Sequence, residues 1–162
     1  MIIILMGVAG SGKTTLGRLL ATDLGWPFYD ADDFHPQTNV AKMAAGTPLT
    51  DADRAPWLRA LRTRIETSLA ANENAIIGCS ALKAAYRAIL QPSAAEPIRL
   101  VYLRGSPALL AERLAGRAGH FMKPGMLASQ LSTLEEPADA VIADIALPPA
   151  QLVAHIRQKL GI

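Results

Sequence analysis

One cysteine in 162 residues rules out an internal disulfide, and a chain relying on Cys79 alone fits a reducing, cytoplasmic compartment. An excess of one charge is missing as well. The 16 basic and 14 acidic residues leave a net charge of only +2. That balance argues against a dedicated nucleic-acid binder and against a polybasic membrane anchor, so neither nucleic acid nor membrane is expected as a partner. No apolar run approaches the roughly 20 residues needed to cross a bilayer. The apolar start at Ile2 has no basic segment ahead of it and stops at a glycine cluster, which does not fit a secretory signal. Internal repeats and low-complexity tracts are absent. No Cys, His and Asp cluster has zinc spacing. The Asn-Lys-x-Asp and Asp-x-x-Gly patterns of guanine-nucleotide switches are also missing, which disfavours a GTPase.

What is present is concentrated near the start. Gly7-Val8-Ala9-Gly10-Ser11-Gly12-Lys13-Thr14 fits Gly-x-x-x-x-Gly-Lys-[Ser/Thr] at every required position. Ile2 to Met6 is a short apolar run that suits a buried parallel strand. Leu16, Leu19, Leu20 and Leu24 recur behind the glycines at helical spacing. Strand, glycine loop and helix form the context this motif needs. The glycines let the backbone wrap an anion, and the loop's N–H groups and the helix start then face phosphates. Lys13 supplies a charge for the β- and γ-phosphates and Thr14 a hydroxyl for Mg²⁺. Residues Gly7 to Thr14, with Thr15, are the candidate ATP site.

At 51% hydrophobic, residues 1–162 suit a single domain with a full core. Strand and helix alternate to the end. Residues 27–30, 75–79, 98–103 and 141–143 read as further strands. Residues 36–45, a long segment after Thr50, 83–90, about 107–115 and a last segment opened by Pro148-Pro149 read as helices. Thr50-Asp51-Ala52-Asp53 resembles a capping sequence. Five strands with intervening helices imply a parallel sheet covered on both faces, with the glycine loop at its carboxyl edge. Two insertions stand out. Residues 31–56 suit an acceptor site, and residues 116–125, rich in glycine and basic groups, suit a small lid.

Several polar residues are candidates for chemistry. Asp30 and Asp32 alternate on what reads as an extended strand end, so both carboxylates can face the cleft. One can serve a metal and the other a substrate hydroxyl; the alternative is a pair of loop aspartates capping the next helix. Arg113 and Arg117, four apart, can flank the adenine and reach the γ-phosphate, or form a solvated basic face. His35 and His120 are candidates for polar substrate contacts. Lys83 and Arg87, and likewise Arg54, can meet an anionic acceptor group or remain helix-surface charges. Cys79 reads as a small buried residue rather than a nucleophile.

Longer motifs carry a resemblance across nearly the whole chain. They are the loop at 7–14, Asp30-Ala31-Asp32 with His35-Pro36, Asn39-Val40-Ala41-Lys42-Met43, and Asp51-Ala52-Asp53-Arg54 with Pro56-Trp57-Leu58. Cys79-Ser80-Ala81-Leu82-Lys83, Gly119-His120-Phe121 and Leu134-Glu135-Glu136-Pro137 complete them. With these the chain resembles the gluconate kinases of the P-loop type. The resemblance implies the three-layer P-loop kinase fold and transfer of the ATP γ-phosphate to the 6-hydroxyl of D-gluconate. Mg²⁺, a cytosolic setting and a homodimer are implied with it. Comparison with shikimate kinase and similar small-molecule kinases implies Asp30 toward the metal, Asp32 toward the acceptor hydroxyl and Arg54 toward the substrate carboxylate. The turn at Cys79-Ser80-Ala81 is implied to offer backbone contacts. Lys13, Asp32 and Arg117 are the expected catalytic set; Asp32, His35, Arg54, Ser80, Lys83, Arg87 and His120 are the expected acceptor contacts. The third strand has no terminal aspartate, which shifts metal duty to Thr14 and Asp30.

Overall fold

Alternation along β1 (Ile2–Met6) explains the layering of the computed structural model, which describes residues 1–93, 95–116 and 125–162. Successive strand side chains point to opposite faces. Ile2, Ile4 and Met6 therefore join one core and Ile3 and Leu5 the other. An all-apolar strand of this kind has to lie in the sheet centre, because either face would otherwise be wet.

Four more strands complete a parallel sheet. β2 spans Phe28–Asp30, β3 Ala75–Gly78, β4 Ile98–Arg104 and β5 Val141–Asp144. Their order is β2-β3-β1-β4-β5, and every pairing is parallel. All strands therefore end at the same edge, where the glycine loop follows β1.

Helices cover both faces. α1 (Lys13–Leu24) starts at the loop and stops at Gly25, whose φ of 68° needs no Cβ. α2 spans Gln37–Ala44 and α3 Asp51–Ala70. α4 (Ala84–Leu90) and α5 (Pro107–Ala115) follow β3 and β4. The chain continues through α6 (Gly125–Thr133) and α7 (Pro149–Leu160). α3 contributes Trp57, Leu58, Leu61 and Ile65 to the first core. α1 and α7 contribute Leu16, Leu20, Leu152 and Ile156 to the second. Each such Leu or Ile stabilises the fold by about 1.5–3 kcal/mol relative to an exposed one.

The anticipated cap of α3 is a full capping box. Thr50 Oγ1 accepts from Asp53 N–H at 3.2 Å, and Asp53 Oδ2 accepts from Thr50 N–H at 2.9 Å. Two readings of the sequence need correction. Residues 31–34 do not continue an extended strand; Ala31–Phe34 is a 3-10 turn capped by the Asp30 carboxylate. The period-2 argument placing Asp30 and Asp32 on one side therefore fails, because the chain turns between them. The second correction is α6, which the sequence reading missed. The expected lid at 116–125 falls mostly on residues 117–124, which lie outside the described residues, as do Arg117 and His120.

Candidate active site

Two glycines shape the phosphate loop. Gly10 (φ 80°) and Gly12 (φ 91°) take backbone conformations that L side chains rarely adopt. At Gly10 a Cβ would also press on Leu114 Cγ at 3.0 Å and Leu110 O at 3.1 Å, so α5 packs directly on the loop. A Cβ on Gly12 would stand 3.7 Å from Arg113 Nη1. The Arg113 guanidinium thus borders the loop, where its Nη2 donates to Ile145 O at 2.6 Å. Lys13 reaches back across the loop, its Nζ donating to Gly7 O at 2.9 Å and Val8 O at 3.1 Å. Ser11 is buried, and its Oγ has no hydrogen-bond partner among the described residues. An orphaned hydroxyl costs about 1–3 kcal/mol, a cost that an anion in the loop would offset.

The oxygen pair expected from Thr14 and Asp30 is in place. Thr14 Oγ1 donates to Asp30 Oδ2 at 2.8 Å, joining the start of α1 to the end of β2. Asp30 Oδ1 accepts from Asp32 N–H at 3.2 Å. Asp30 thus caps the turn, as the capping alternative expects, while facing Thr14. Asp32 sits on the exposed side of the turn, near the same strand end.

That turn is tied to the acceptor side by Trp57, whose Nε1 donates to Ala31 O at 2.7 Å. The indole also stacks on His35, ring centres 4.5 Å apart and planes at 10°. Burial, and then the Arg54 charge, lower the His35 pKa from 6.5, so the ring is held neutral at physiological pH. Asn39 Nδ2 lies 3.3 Å from His35 Nδ1, a contact that requires Nδ1 to carry no proton. Asn39, 2% exposed, also donates to Asp53 O at 2.8 Å. It thereby links α2 to the first turn of α3, a role the sequence reading did not assign it.

A cationic cluster forms where α3, α4 and the turn after β3 meet. Lys83 Nζ donates to both Asp51 oxygens, at 2.9 and 3.1 Å. The Tyr86 hydroxyl donates to the same carboxylate, and Arg54 Nη1 stands 3.9 Å from it. The Tyr86 hydroxyl first, and then Lys83, lower the Asp51 pKa, while the Asp51 hydrogen bond raises that of Lys83. Arg54 Nη1 also donates to Leu49 O at 2.6 Å. Lys83 and Arg54 therefore converge on Asp51. Arg87 does not join them. Its Nη1 donates to Ala81 O at 3.0 Å and Leu82 O at 3.1 Å, supporting the turn. Ala81 holds φ 44° there, an unusual value for a residue with a Cβ.

This turn touches the phosphate loop directly: Gly7 N–H donates to Ser80 O at 3.4 Å. Cys79 beneath it is buried, and burial pushes its thiol up to about 12, which fits an inert core residue. His155 lies away from all of this, with Nε2 3.0 Å from Ile142 O. A cavity of 480 Å³ lined by Arg87, Arg99, Leu100 and Asp139 opens at the amino ends of β4 and β5. It is therefore at the opposite sheet edge from the loop, away from the residues with phosphate chemistry.

Comparison with known proteins bears on this arrangement. A family model described as an AAA domain matches residues 2–137. The chain is 48% identical over 137 residues to the gluconokinase of Gluconobacter oxydans (strain 621H), covering 85% of this chain and 76% of that protein. It is 46% identical over 153 residues to the probable gluconokinase of Mus musculus, covering 85% and 83%. The crystal structure of a gluconokinase from Sinorhizobium meliloti 1021 superposes with a TM-score of 0.87 at 44% identity. That match covers 98% of this chain and 90% of the other.

Proposed function

Because the chain belongs to the gluconokinase family of P-loop kinases, within the AAA domain class its family model describes, we propose that it moves the γ-phosphoryl group of ATP to the 6-hydroxyl of D-gluconate. The products are 6-phospho-D-gluconate and ADP. One observation supports this most: three adjacent parallel strands end together and bring unlike chemistries to one edge. β1 leads to the phosphate loop, β2 to Asp30 and the turn bearing Asp32, and β3 to the turn bearing Lys83.

The all-oxygen pair of Thr14 and Asp30 suits Mg²⁺, which takes one or two protein oxygens and completes its shell from phosphates and water. Bound there, the ion would neutralise phosphate charge. Loop amides and Lys13 hold the triphosphate, and Arg113 borders it. Asp32 accepts the proton from the acceptor O6 as the O6–P bond forms and the bond from phosphorus to the ADP oxygen breaks. Since phosphoryl transfer passes through a loose transition state, positioning and charge stabilisation matter more than the strength of this base. Arg54 and Lys83 take the acceptor's carboxylate. Their side-by-side placement at the turn after β3, with Lys83 Nζ on Asp51 and Arg54 Nη1 3.9 Å from it, supports that role by putting two cations at one point. His35, held neutral, offers hydrogen bonds to acceptor hydroxyls, and Ser80 contributes its turn. Arg117 and His120 keep their proposed roles at the γ-phosphate and the acceptor on sequence grounds. A homodimer and a cytoplasmic setting complete the reading; among the described residues, no helix is long and apolar enough to cross a membrane.

ADP release measured against gluconate, shikimate and a nucleoside monophosphate tests the acceptor. Stimulation by gluconate alone is the expected result. Stimulation by another acceptor reassigns the substrate, and nucleotide binding without stimulated release would make the chain a binding module.

A further inference from the structure

Besides Gly7, a second amide of the phosphate loop has an acceptor from a distant part of the chain, and this acceptor is a side chain. Ala9 N–H donates to Gln130 Oε1 at 2.6 Å, across 121 positions. Ala9 is the third residue of the loop and is buried. Gln130 sits on α6 beside Leu127 and Leu131, spaced as one helix face, with Leu134 just past the helix end. Leu127 is buried in the second core, and Leu131 and Leu134 pack against it. Gln130 is therefore the polar member of an apolar, inward-facing stripe, half-buried and aimed at a loop whose amides serve anions.

The chemistry of the side chain matters here. A carboxamide carries an acceptor on one arm and two donors on the other. An N–H can only donate, so Oε1 must face Ala9, and among the described residues Nε2 makes no hydrogen bond. A terminal phosphate oxygen carries charge, and a charge-assisted hydrogen bond is about twice as strong as a neutral one. The phosphate therefore outcompetes the amide oxygen for Ala9 N–H. A half-turn of the carboxamide then points Nε2 at the same phosphate oxygen.

We infer that Gln130 is a γ-phosphate contact that distinguishes ATP from ADP. It accepts from Ala9 N–H, and it yields that N–H and donates from Nε2 to a bound terminal phosphate. α6 is thereby coupled to the nucleotide state. This deepens the kinase reading, since it concerns the donor nucleotide and not the acceptor.

The test compares affinities for the β,γ-imido analogue of ATP and for ADP by calorimetry, with Mg²⁺ and without gluconate. Gln130→Glu keeps the shape and the acceptor but loses the donor and repels phosphate. Its preference for the analogue over ADP should fall by about tenfold or more, the scale of one charged hydrogen bond. Gln130→Met keeps the bulk without either polar arm, and its preference should fall by a few-fold. Equal changes for the two nucleotides, or none, would show a purely structural contact and overturn the inference. Should the Glu variant lose its cooperative melt, the Met variant carries the same ratio. Because no acceptor is present, failure here is distinct from failure of the gluconate assignment, which the wild-type acceptor panel reads.

Discussion

The phosphate loop and the acceptor cluster meet at one sheet edge but are built by opposite means. The loop is eight consecutive residues whose donors are mostly backbone, set by glycine conformation and the start of α1. The cluster draws on side chains from Ala31–Phe34, α2, α3, α4 and the turn after β3, aligned by a chain of hydrogen bonds through Trp57, Asn39 and Asp51. The first is a local device that can serve many kinases. The second exists only once the tertiary fold has formed, and it is the part proposed to select an acceptor.

If the two halves divide the work this way, substitutions should sort by substrate. The largest effect belongs to Lys13→Ala. Turnover should fall by roughly a thousandfold or more with the melting temperature little changed, since a charge is lost where charge moves in the transition state. Steady-state kinetics with thermal melts check this, and near-normal turnover would remove the loop from the chemistry. Asp32→Asn comes next. It should lower kcat with gluconate by on the order of a hundredfold while leaving nucleotide affinity intact. An equal loss of nucleotide affinity would move Asp32 to the other half.

Lys83→Met should raise the KM for gluconate by about tenfold with the KM for ATP unchanged, as expected when one charged contact is removed. If both constants rise, the halves are coupled more tightly than their construction implies. The smallest effect concerns pH. Burial and Arg54 hold the His35 pKa below 6.5, so the folded protein binds fewer protons there than the unfolded chain. This contribution to stability is fully present above pH 6.5 and declines as pH falls from 6.5 through the lowered folded value. Chemical-denaturation midpoints followed downward from pH 7 should fall less steeply in His35→Gln than in the parent. Identical slopes would dissociate His35 from the cluster's electrostatics.

The same division explains what could be read from the chain alone. Strands, the loop and the cap at Thr50 rest on near neighbours, so their residue patterns betrayed them. Thr14 and Asp30 meet through a hydrogen bond because each sits at the end of a readable element. Asp32 was placed on an extended segment because the period-2 rule carries no knowledge of a cap. Asp30 bends the chain by accepting from Asp32 N–H. Arg54 and Lys83 looked no different from Arg87, since only packing decides which cation finds a carboxylate and which finds carbonyls. α6 was hidden by the glycine-rich segment before it, although the stripe of Leu127, Leu131 and Leu134 was visible. A glutamine interrupting that stripe was the available signal for Gln130.

The claim on which both halves depend is transfer from nucleotide to acid. ³¹P NMR of the wild-type protein with Mg²⁺, ATP and gluconate tests it most directly. A phosphomonoester signal coupled to the C6 protons of the acid should grow in step with ADP. ADP accompanied only by inorganic phosphate, with the gluconate unchanged, would contradict it.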